Sequence, residues 1–406
     1  MADRWRPAWG AAGFAFVVSR FVALGGAWLG AWQLISSDPT RTRGVIVEGA
    51  MMWDAAWYWR VAMQGYYPWS KDLGSDLAFC PLFPLLVRGV TKTLTLLNLH
   101  IGDPLYGNFV LAGLLISNAC FLAALVLLWQ LIRQDYPAPV ADRTLLLIGV
   151  FPAGLFWSAI YTESLFFLLV VGTFWAARQG RWPLAAGLAG LAGVTRWAGL
   201  LLGVVILLEY LGRDPAAPGW RARVRAIRPD GLWLALVPVP FLAFLTYLQL
   251  AFGNAWIFLD AEQQGWRHSA SVFPLVWLDG LGLLIASWTT TSPATDPVLH
   301  WGGGQRFYMY QDLALTALFA GLAVWAGLRR LLRPSELAWL SLGVIFPLSL
   351  GTTLAMTRYL LPLWPAFLLL ARALEPRPRL AQGWLVMSTG LLAITAFFWA
   401  HGNWVG

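Results

Sequence analysis

Charge is scarce in this 406-residue chain, where Asp, Glu, Lys and Arg together make up only 12%. An ordinary soluble domain carries about 25%, so a soluble globular protein is excluded at the outset. Lysine is almost absent, and the net charge of +8 rests on arginines in short loops between apolar runs. That placement marks membrane topology rather than a nucleic-acid-binding face, and no nucleic-acid partner is expected. Cysteine is limited to Cys80 and Cys120 with no CxxC pair, which suggests neither a disulfide framework nor a zinc site. His100, His268, His300 and His401 match no metal-ligand spacing. A Walker loop, the Rossmann glycine fingerprint and GxSxG are all missing, so nucleotide hydrolysis and serine-esterase chemistry have no footing. Nor does hydropathy alternate with period two, as a membrane barrel requires.

What the chain does have is apolar length. Hydrophobic residues make up 59% and mean hydropathy is +0.63, in recurring runs long enough to cross a bilayer. It reads as an all-α polytopic membrane protein, one integral-membrane domain over 1–406. A first span covers about 10–34, with Arg4 and Arg6 ahead of it on the cytoplasmic side. Residues 35–104 are too irregular to face lipid and form a long first external loop carrying amphipathic helices. Spans follow at about 105–132, 144–160 and 165–177, then two short ones within 183–211 on either side of Thr195-Arg196-Trp197. The remaining spans lie at about 231–252, 311–328, 336–354, 359–371 and 383–400. Residues 253–310 form a second external loop, whose apolar part, 272–288, lies on the interface or re-enters. Counting that part as a span would put Arg329, Arg330 and Arg333 outside, so the positive-inside rule favours about eleven transmembrane helices over about twelve. In this register both long loops, Asp54, Glu163, Arg196 and Arg358 share the external side.

The chemistry-bearing stretch is Trp53-Asp54-Ala55-Ala56-Trp57-Tyr58-Trp59-Arg60, which puts one carboxylate among aromatic rings just after the first span. Rings such as Trp53, Trp57 and Tyr58 stack on sugars, and desolvation raises a carboxylate's proton affinity. Asp54 is thus a candidate general base for sugar transfer. An aspartate ahead of helix formers also suits a helix N-cap, and part of the aromatic wall suits an interfacial belt.

Arg196 and Arg358 share a setting, Val194-Thr195-Arg196-Trp197 and Met356-Thr357-Arg358-Tyr359, at the outer edge of the membrane. Each can hold a phosphate through two parallel hydrogen bonds, or snorkel to lipid headgroups. Arg20 lies inside the first span, where a guanidinium is costly and faces a polar cavity or a partner. It is the third candidate for a donor phosphate. Glu163, in Tyr161-Thr162-Glu163-Ser164, can pair with Arg196, position an acceptor or cap the next helix. In the second loop, Glu262-Gln263-Gln264-Gly265-Trp266-Arg267-His268 packs donors, acceptors and a ring into one turn. Gln263, Trp266 and Arg267 are candidate sugar contacts there, with a solvated loop as the alternative.

Several separated stretches together resemble the PIG-V-type (GPI mannosyltransferase II-like) members of the GT-C integral-membrane glycosyltransferases. They are Trp53-Asp54 through Gly65-Tyr66, Ala78-Phe79-Cys80-Pro81-Leu82-Phe83-Pro84, Phe151-Pro152 through Leu165-Phe166, and Thr195-Arg196-Trp197-Ala198-Gly199. Weaker matches are Gln263 with Trp266-Arg267, and Arg358-Tyr359-Leu360 with Pro362. The resemblance implies a GT-C fold and a polyprenyl- or dolichyl-phosphate-linked donor carrying mannose. It also implies an inverting reaction on the non-cytoplasmic face, with the family's first-loop aspartate at Asp54. Cys80 and Trp197-Ala198 depart from the family's usual residues, which bears on the acceptor more than on the chemistry.

The expected partners are therefore a polyprenyl-phosphate sugar, a lipid or glycan acceptor with a free hydroxyl, and membrane lipids. Because the leaving group is a phosphomonoester lipid, no divalent metal or other cofactor is called for. Arginine in place of lysine, with abundant Ala, Leu and Gly, points to a bacterial inner (cytoplasmic) membrane with the site facing outside. The rival expectations are a lipid-linked-sugar transporter or flippase, which would show paired halves with broken helices, and a non-catalytic lipid-sugar-binding protein.

Overall fold

The computed structural model describes residues 2–38, 40–41, 43–67, 75–99, 102–103, 105–213, 219–266, 278, 281–282, 303–351, 353 and 355–405. Every regular element among them is helical. Five helical segments are long and apolar enough to cross a membrane: Trp5–Ser37, Gly107–Ile132, Pro229–Phe252, Phe307–Arg329 and Pro378–Ala400. Four further apolar helices are shorter, at Trp182–Gly193, Trp197–Leu211, Pro334–Leu348 and Trp364–Leu374. The protein is integral to a membrane. Residues 272–288, read as an interfacial or re-entrant segment, lie almost wholly outside the described residues.

The frame is set by the first and last helices. α1 (Ala2–Ser37) packs lengthwise on the final helix Pro378–Ala400, and Gly26 and Gly30 form the seam. A Cβ at Gly30 would stand 2.0 Å from the Phe397 carbonyl oxygen, and one at Gly26 would stand 2.6 Å from that of Ala393. Small residues four apart let two backbones meet where lipid gives no hydrophobic push between helices. Next come the short helices α2 (Val45–Ala50), α3 (Asp54–Gln64) and α4 (Leu82–Leu96), within the stretch read as the first loop. α5 (Gly107–Ile132) lies against α1 and against α7 (Glu163–Arg178).

The run expected to cross at 144–160 instead leaves the helix early. α6 (Ala138–Gly149) stops at Gly149, a 3-10 turn follows at Gly154–Trp157, and irregular backbone continues to α7. Phe151, Phe156, Trp157, Ile160 and Tyr161 are each at most 1% exposed. Irregular backbone at membrane depth is tolerated only inside protein, because each unpaired carbonyl costs several kcal/mol in hydrocarbon. Side chains settle that debt here. Ser117 donates to the Ala159 carbonyl (2.7 Å), Ser164 to Trp157 (2.7 Å) and Ser388 to Val150 (2.8 Å). Ser19 donates to the Gly149 carbonyl, and Arg20 Nη2 to that of Gly154 (3.2 Å).

The chain continues through α8 (Trp182–Gly193), a 3-10 turn at Trp197–Leu201, α9 (Leu202–Leu211), α10 (Gly219–Arg225), α11 (Val239–Phe252) and α12 (Ile257–Trp266). It closes with α13 (Gly303–Arg329), α14 (Pro334–Leu348), α15 (Met356–Leu360), α16 (Trp364–Leu374) and α17 (Pro378–Ala400).

Candidate active site

Asp54 is the first residue of α3, one step past Trp53, whose φ of 54° is rare for a residue with a side chain. Ala355, three residues before Arg358, has φ 61°. Among the described residues only four non-glycine residues have positive φ, and two of them border the pair Asp54 and Arg358. Such strain costs on the order of 1–3 kcal/mol per residue and collects where geometry is imposed for function.

Tyr161, fully buried, fixes the start of α3: its hydroxyl accepts from the Asp54 N–H (3.0 Å) and donates to the Met52 carbonyl (3.3 Å). The Asp54 side chain therefore does not cap its own helix. Its Oδ2 accepts from Arg358 Nη2 at 3.1 Å. The same guanidinium holds Glu163 through Nε (3.0 Å) and Nη2 (2.9 Å), and Arg196 Nη1 reaches the same Glu163 Oε1 at 2.9 Å. One carboxylate thus aligns two arginines, and one arginine bridges two carboxylates. Glu163 Oε2 is buried without a hydrogen-bond partner.

Aromatic faces complete the arginine setting. The Arg358 guanidinium lies 4.7 Å from the Phe156 ring centre and 4.8 Å from that of Tyr161, and Arg196 lies 5.0 Å from Tyr359. Cation–π contacts of this kind strengthen as water is excluded. Neither arginine is a headgroup anchor, since both are committed to Glu163. Burial pushes the Asp54 carboxyl above the ordinary carboxylate range, and the positive charge of Arg358 opposes that rise. Burial also pushes the Cys80 thiol up to about 12, which keeps it protonated and unreactive.

These groups adjoin a cavity of ≈ 230 Å³ whose wall includes Asp54, Tyr58, Arg196, Arg358, Glu262 and Trp404. The sequence motifs meet there because they hydrogen-bond to one another. The Leu82 N–H donates to the Val194 carbonyl (3.0 Å), joining the Cys80-Pro81 segment to the Arg196 turn. Tyr66 donates to the Phe79 carbonyl (2.6 Å). Tyr58, one turn after Asp54, packs edge-on to Phe79, Phe83 and Tyr161 with ring centres 5.0, 5.2 and 6.1 Å apart. Gly199 explains the end of the Thr-Arg-Trp-Ala-Gly motif: a Cβ there would fall 2.3 Å from the Ala192 carbonyl carbon, so only glycine lets the turn fold back on α8 beside Arg196.

The other expected site residues are distributed differently. Arg20 stands away from the cavity wall and works as a strut, hydrogen-bonded to Asn118 (3.1 Å), Ser19 (2.9 Å) and the Gly154 carbonyl. The irregular turn after α6 needs that donor, and no carboxylate joins it in these bonds. Trp53 turns to the rim, edge-on to Trp404 at 5.1 Å. Trp57 stacks on Phe79 with ring centres 6.1 Å apart, and the Arg60 guanidinium lies 4.9 Å from the Trp57 ring centre. Gln263 is exposed, whereas its neighbour Glu262 lines the cavity. Arg267 lies outside the described residues, and only the backbone of Trp266 is described, as the last residue of α12. Trp404 was missed because it follows the last helix, where an isolated tryptophan reads as an interfacial anchor. Asp312 was also missed, although an ionisable group inside an apolar helix is itself a signal.

Comparison with known proteins agrees with the motifs. The sequence model of the family described as Mannosyltransferase (PIG-V) matches residues 40–212. GPI mannosyltransferase 2 of Yarrowia lipolytica is 34% identical over 95 residues, which cover 23% of this chain and 27% of that protein. GPI mannosyltransferase 2 of Chaetomium globosum is 30% identical over 206 residues, covering 44% of this chain and 42% of that protein. The matched stretches thus span less than half the length of either relative. The fold is shared with the oligosaccharyltransferase of Archaeoglobus fulgidus in its apo form, at TM-score 0.54 and 15% identity over 97% of this chain and 56% of that one. The same enzyme with an inhibitory peptide and a dolichol-phosphate gives a TM-score of 0.57, again at 15% identity and with the same coverage. Residues 40–212, which carry Asp54, Glu163 and Arg196, match the sequence model of that mannosyltransferase family, and the helical fold is similar to that of the archaeal oligosaccharyltransferase.

Proposed function

We propose that the protein is an inverting mannosyltransferase. It takes mannose from a polyprenyl-phosphate donor and joins it to an acceptor hydroxyl on the non-cytoplasmic face of its membrane. The observation that carries this reading is the bridge from Asp54 through Arg358 to Glu163 and Arg196 at the cavity wall. A base and two cations for a leaving phosphate stand side by side, and their charges cancel before substrate arrives.

Asp54 takes the proton of the acceptor hydroxyl as that oxygen attacks the anomeric carbon. The bond from that carbon to the phosphate oxygen breaks on the opposite side, and the anomeric configuration inverts. The products are the new glycoside and the polyprenyl phosphate, with the proton on Asp54 until it passes to water or to the phosphate. A guanidinium has five N–H donors, so Arg358 and Arg196 can keep Glu163 and still meet a phosphate oxygen. Negative charge gathering on the leaving phosphate is stabilised by both arginines. Glu163 acts as the counter-ion that aligns them. Tyr58, Glu262 and Trp404 are the cavity-wall groups nearest in kind to sugar contacts, through ring stacking and hydroxyl hydrogen bonds.

The arginine-rich loops support the non-cytoplasmic face for this site. The bacterial inner membrane expected from composition finds no support, since both relatives are fungal. The test is transfer of radiolabelled mannose from dolichyl-phosphate mannose to a glycolipid extract by the purified protein in nanodiscs. Labelled product from the wild type and none from Asp54→Asn, with matched donor binding, is the expected result. Wild-type turnover in Asp54→Asn ends the base assignment, and donor transport without product would favour a flippase.

A further inference from the structure

Arg358 is delivered to the site by a piece of backbone that cannot hold itself. α15 is five residues long and starts from Ala355 in the left-handed region. A non-glycine residue there is disfavoured by the clash of its Cβ with the following carbonyl oxygen, and a helix of one turn has no stability of its own in isolation. The support comes from the neighbouring long helix α13. Asp312, 4% exposed, accepts with Oδ1 from the Thr357 N–H at 2.7 Å and from the Thr357 hydroxyl at 2.5 Å. The Ala355 and Met356 N–H groups face the same carboxylate. Among the described residues no arginine, lysine or histidine forms an ion pair with Asp312. A carboxylate inside an apolar helix is expensive, and here its hydrogen-bonding capacity is spent on the turn that opens α15.

We infer that Asp312 is the positioning residue of Arg358, anchoring the Ala355 turn so that the guanidinium reaches both Asp54 and Glu163. Its effect on transfer rests on the reading of Arg358 as a donor clamp; its effect on the turn does not. Thr357 belongs to the same device, because its side chain and backbone both close on one carboxylate oxygen.

The experiment compares Asp312→Ala, Asp312→Asn and Thr357→Val in the full chain in nanodiscs, each alone and combined with Arg358→Ala. Hydrogen exchange over residues 355–361 should speed up on the order of tenfold in Asp312→Ala, with the α5 peptides unchanged. Thr357→Val, which keeps the carboxylate, should give a smaller rise, and Asp312→Asn should restore part of the protection. Donor kcat/KM should fall about 100-fold in Asp312→Ala, yet by less than about threefold when Arg358 is already alanine, since residues acting as one unit are not additive. Unchanged protection at 355–361, or the same fold loss on both backgrounds, overturns the inference. If Arg358→Ala itself leaves transfer untouched, the donor-clamp reading fails and hydrogen exchange alone decides on Asp312. Should Asp312→Ala not fold, Thr357→Val carries both measurements.

Discussion

Two clusters of arginine and carboxylate sit at opposite ends of one helix. Glu163 opens α7 and Arg178 closes it, 16 residues in all, a rise of about 22 Å. At the far end Arg178 meets Asp135 (3.0 Å), Glu209 (3.6 Å) and Glu336, while Arg333 also pairs with Asp135 (2.5 Å). These bonds lash together the ends of α5, α7 and α9 and the start of α14. At the near end Arg358 and Arg196 share Glu163, and Arg358 reaches Asp54. The residue types are the same. The difference is that Asp54, Arg196 and Arg358 form a cavity wall with Tyr58 and Trp404, whereas none of the Arg178 cluster does. A buried ion cluster by itself is weak evidence for chemistry, and space beside it for a substrate is what separates a site from a brace.

The sharpest way to break this comparison is a like-for-like substitution at each end. Asp54→Asn should lower turnover on the order of 10³-fold, within the range for loss of a general base, with polyprenyl-phosphate binding unchanged by titration. Asp135→Asn should leave turnover per folded molecule at the wild-type level. Comparable losses at both ends would erase the distinction.

Arg358→Gln should cost about 100-fold in donor kcat/KM and shift the pH profile. The base must be deprotonated, so the rate climbs with pH through the Asp54 pKa, already raised by burial. Removing the positive charge that holds that pKa down moves the climb to higher pH. An acid limb that stays in place would mean that another group titrates there.

Arg178→Ala should act on stability alone. Leaving three carboxylates without their shared cation should cost about 3–5 kcal/mol, read as a lower melting temperature in detergent, with turnover of the surviving folded protein intact. The smallest expected effect is at the rim. Trp404→Ala removes one aromatic contact, worth about 0.5–1.5 kcal/mol, and should raise a substrate KM by a few fold with kcat nearly unchanged. A collapse of kcat in that variant would place Trp404 closer to the reacting atoms.

How much of this was legible along the chain follows from what each signal depends on. Asp54, Glu163, Arg196 and Arg358 stand out locally, as single charges beside apolar runs, and the structure brings all four together. Arg20 carries the same local signal and goes elsewhere, because the break after α6 leaves the Gly154 carbonyl in need of a donor. Asp312 hides in an apolar helix, and its partner turn is 45 residues away. The helix break itself was unreadable from hydropathy, since 144–160 is uncharged and mostly apolar, whether helical or not. Glu262 and Gln263 are one residue apart, and only the helical phase of α12 decides which of them faces the cavity.

Composition and apolar run length were sufficient for the solvent this protein folds in, the helical class, and the arginine-rich loops. Those are properties of residues taken a segment at a time, set by the cost of polar groups in hydrocarbon. Ordered motifs were sufficient for the family resemblance, which the sequence model matches over residues 40–212. Which arginine joins Asp54 and Glu163 and which one supports the turn after α6 was left to packing. A guanidinium goes to whichever buried acceptors the tertiary fold puts within about 3 Å, and those acceptors come from segments far apart in the chain. Arg358 meets a carboxylate 304 positions away, and Arg20 a carbonyl 134 positions away. That long-range choice puts Arg358 on the cavity wall and Arg20 under the helix break.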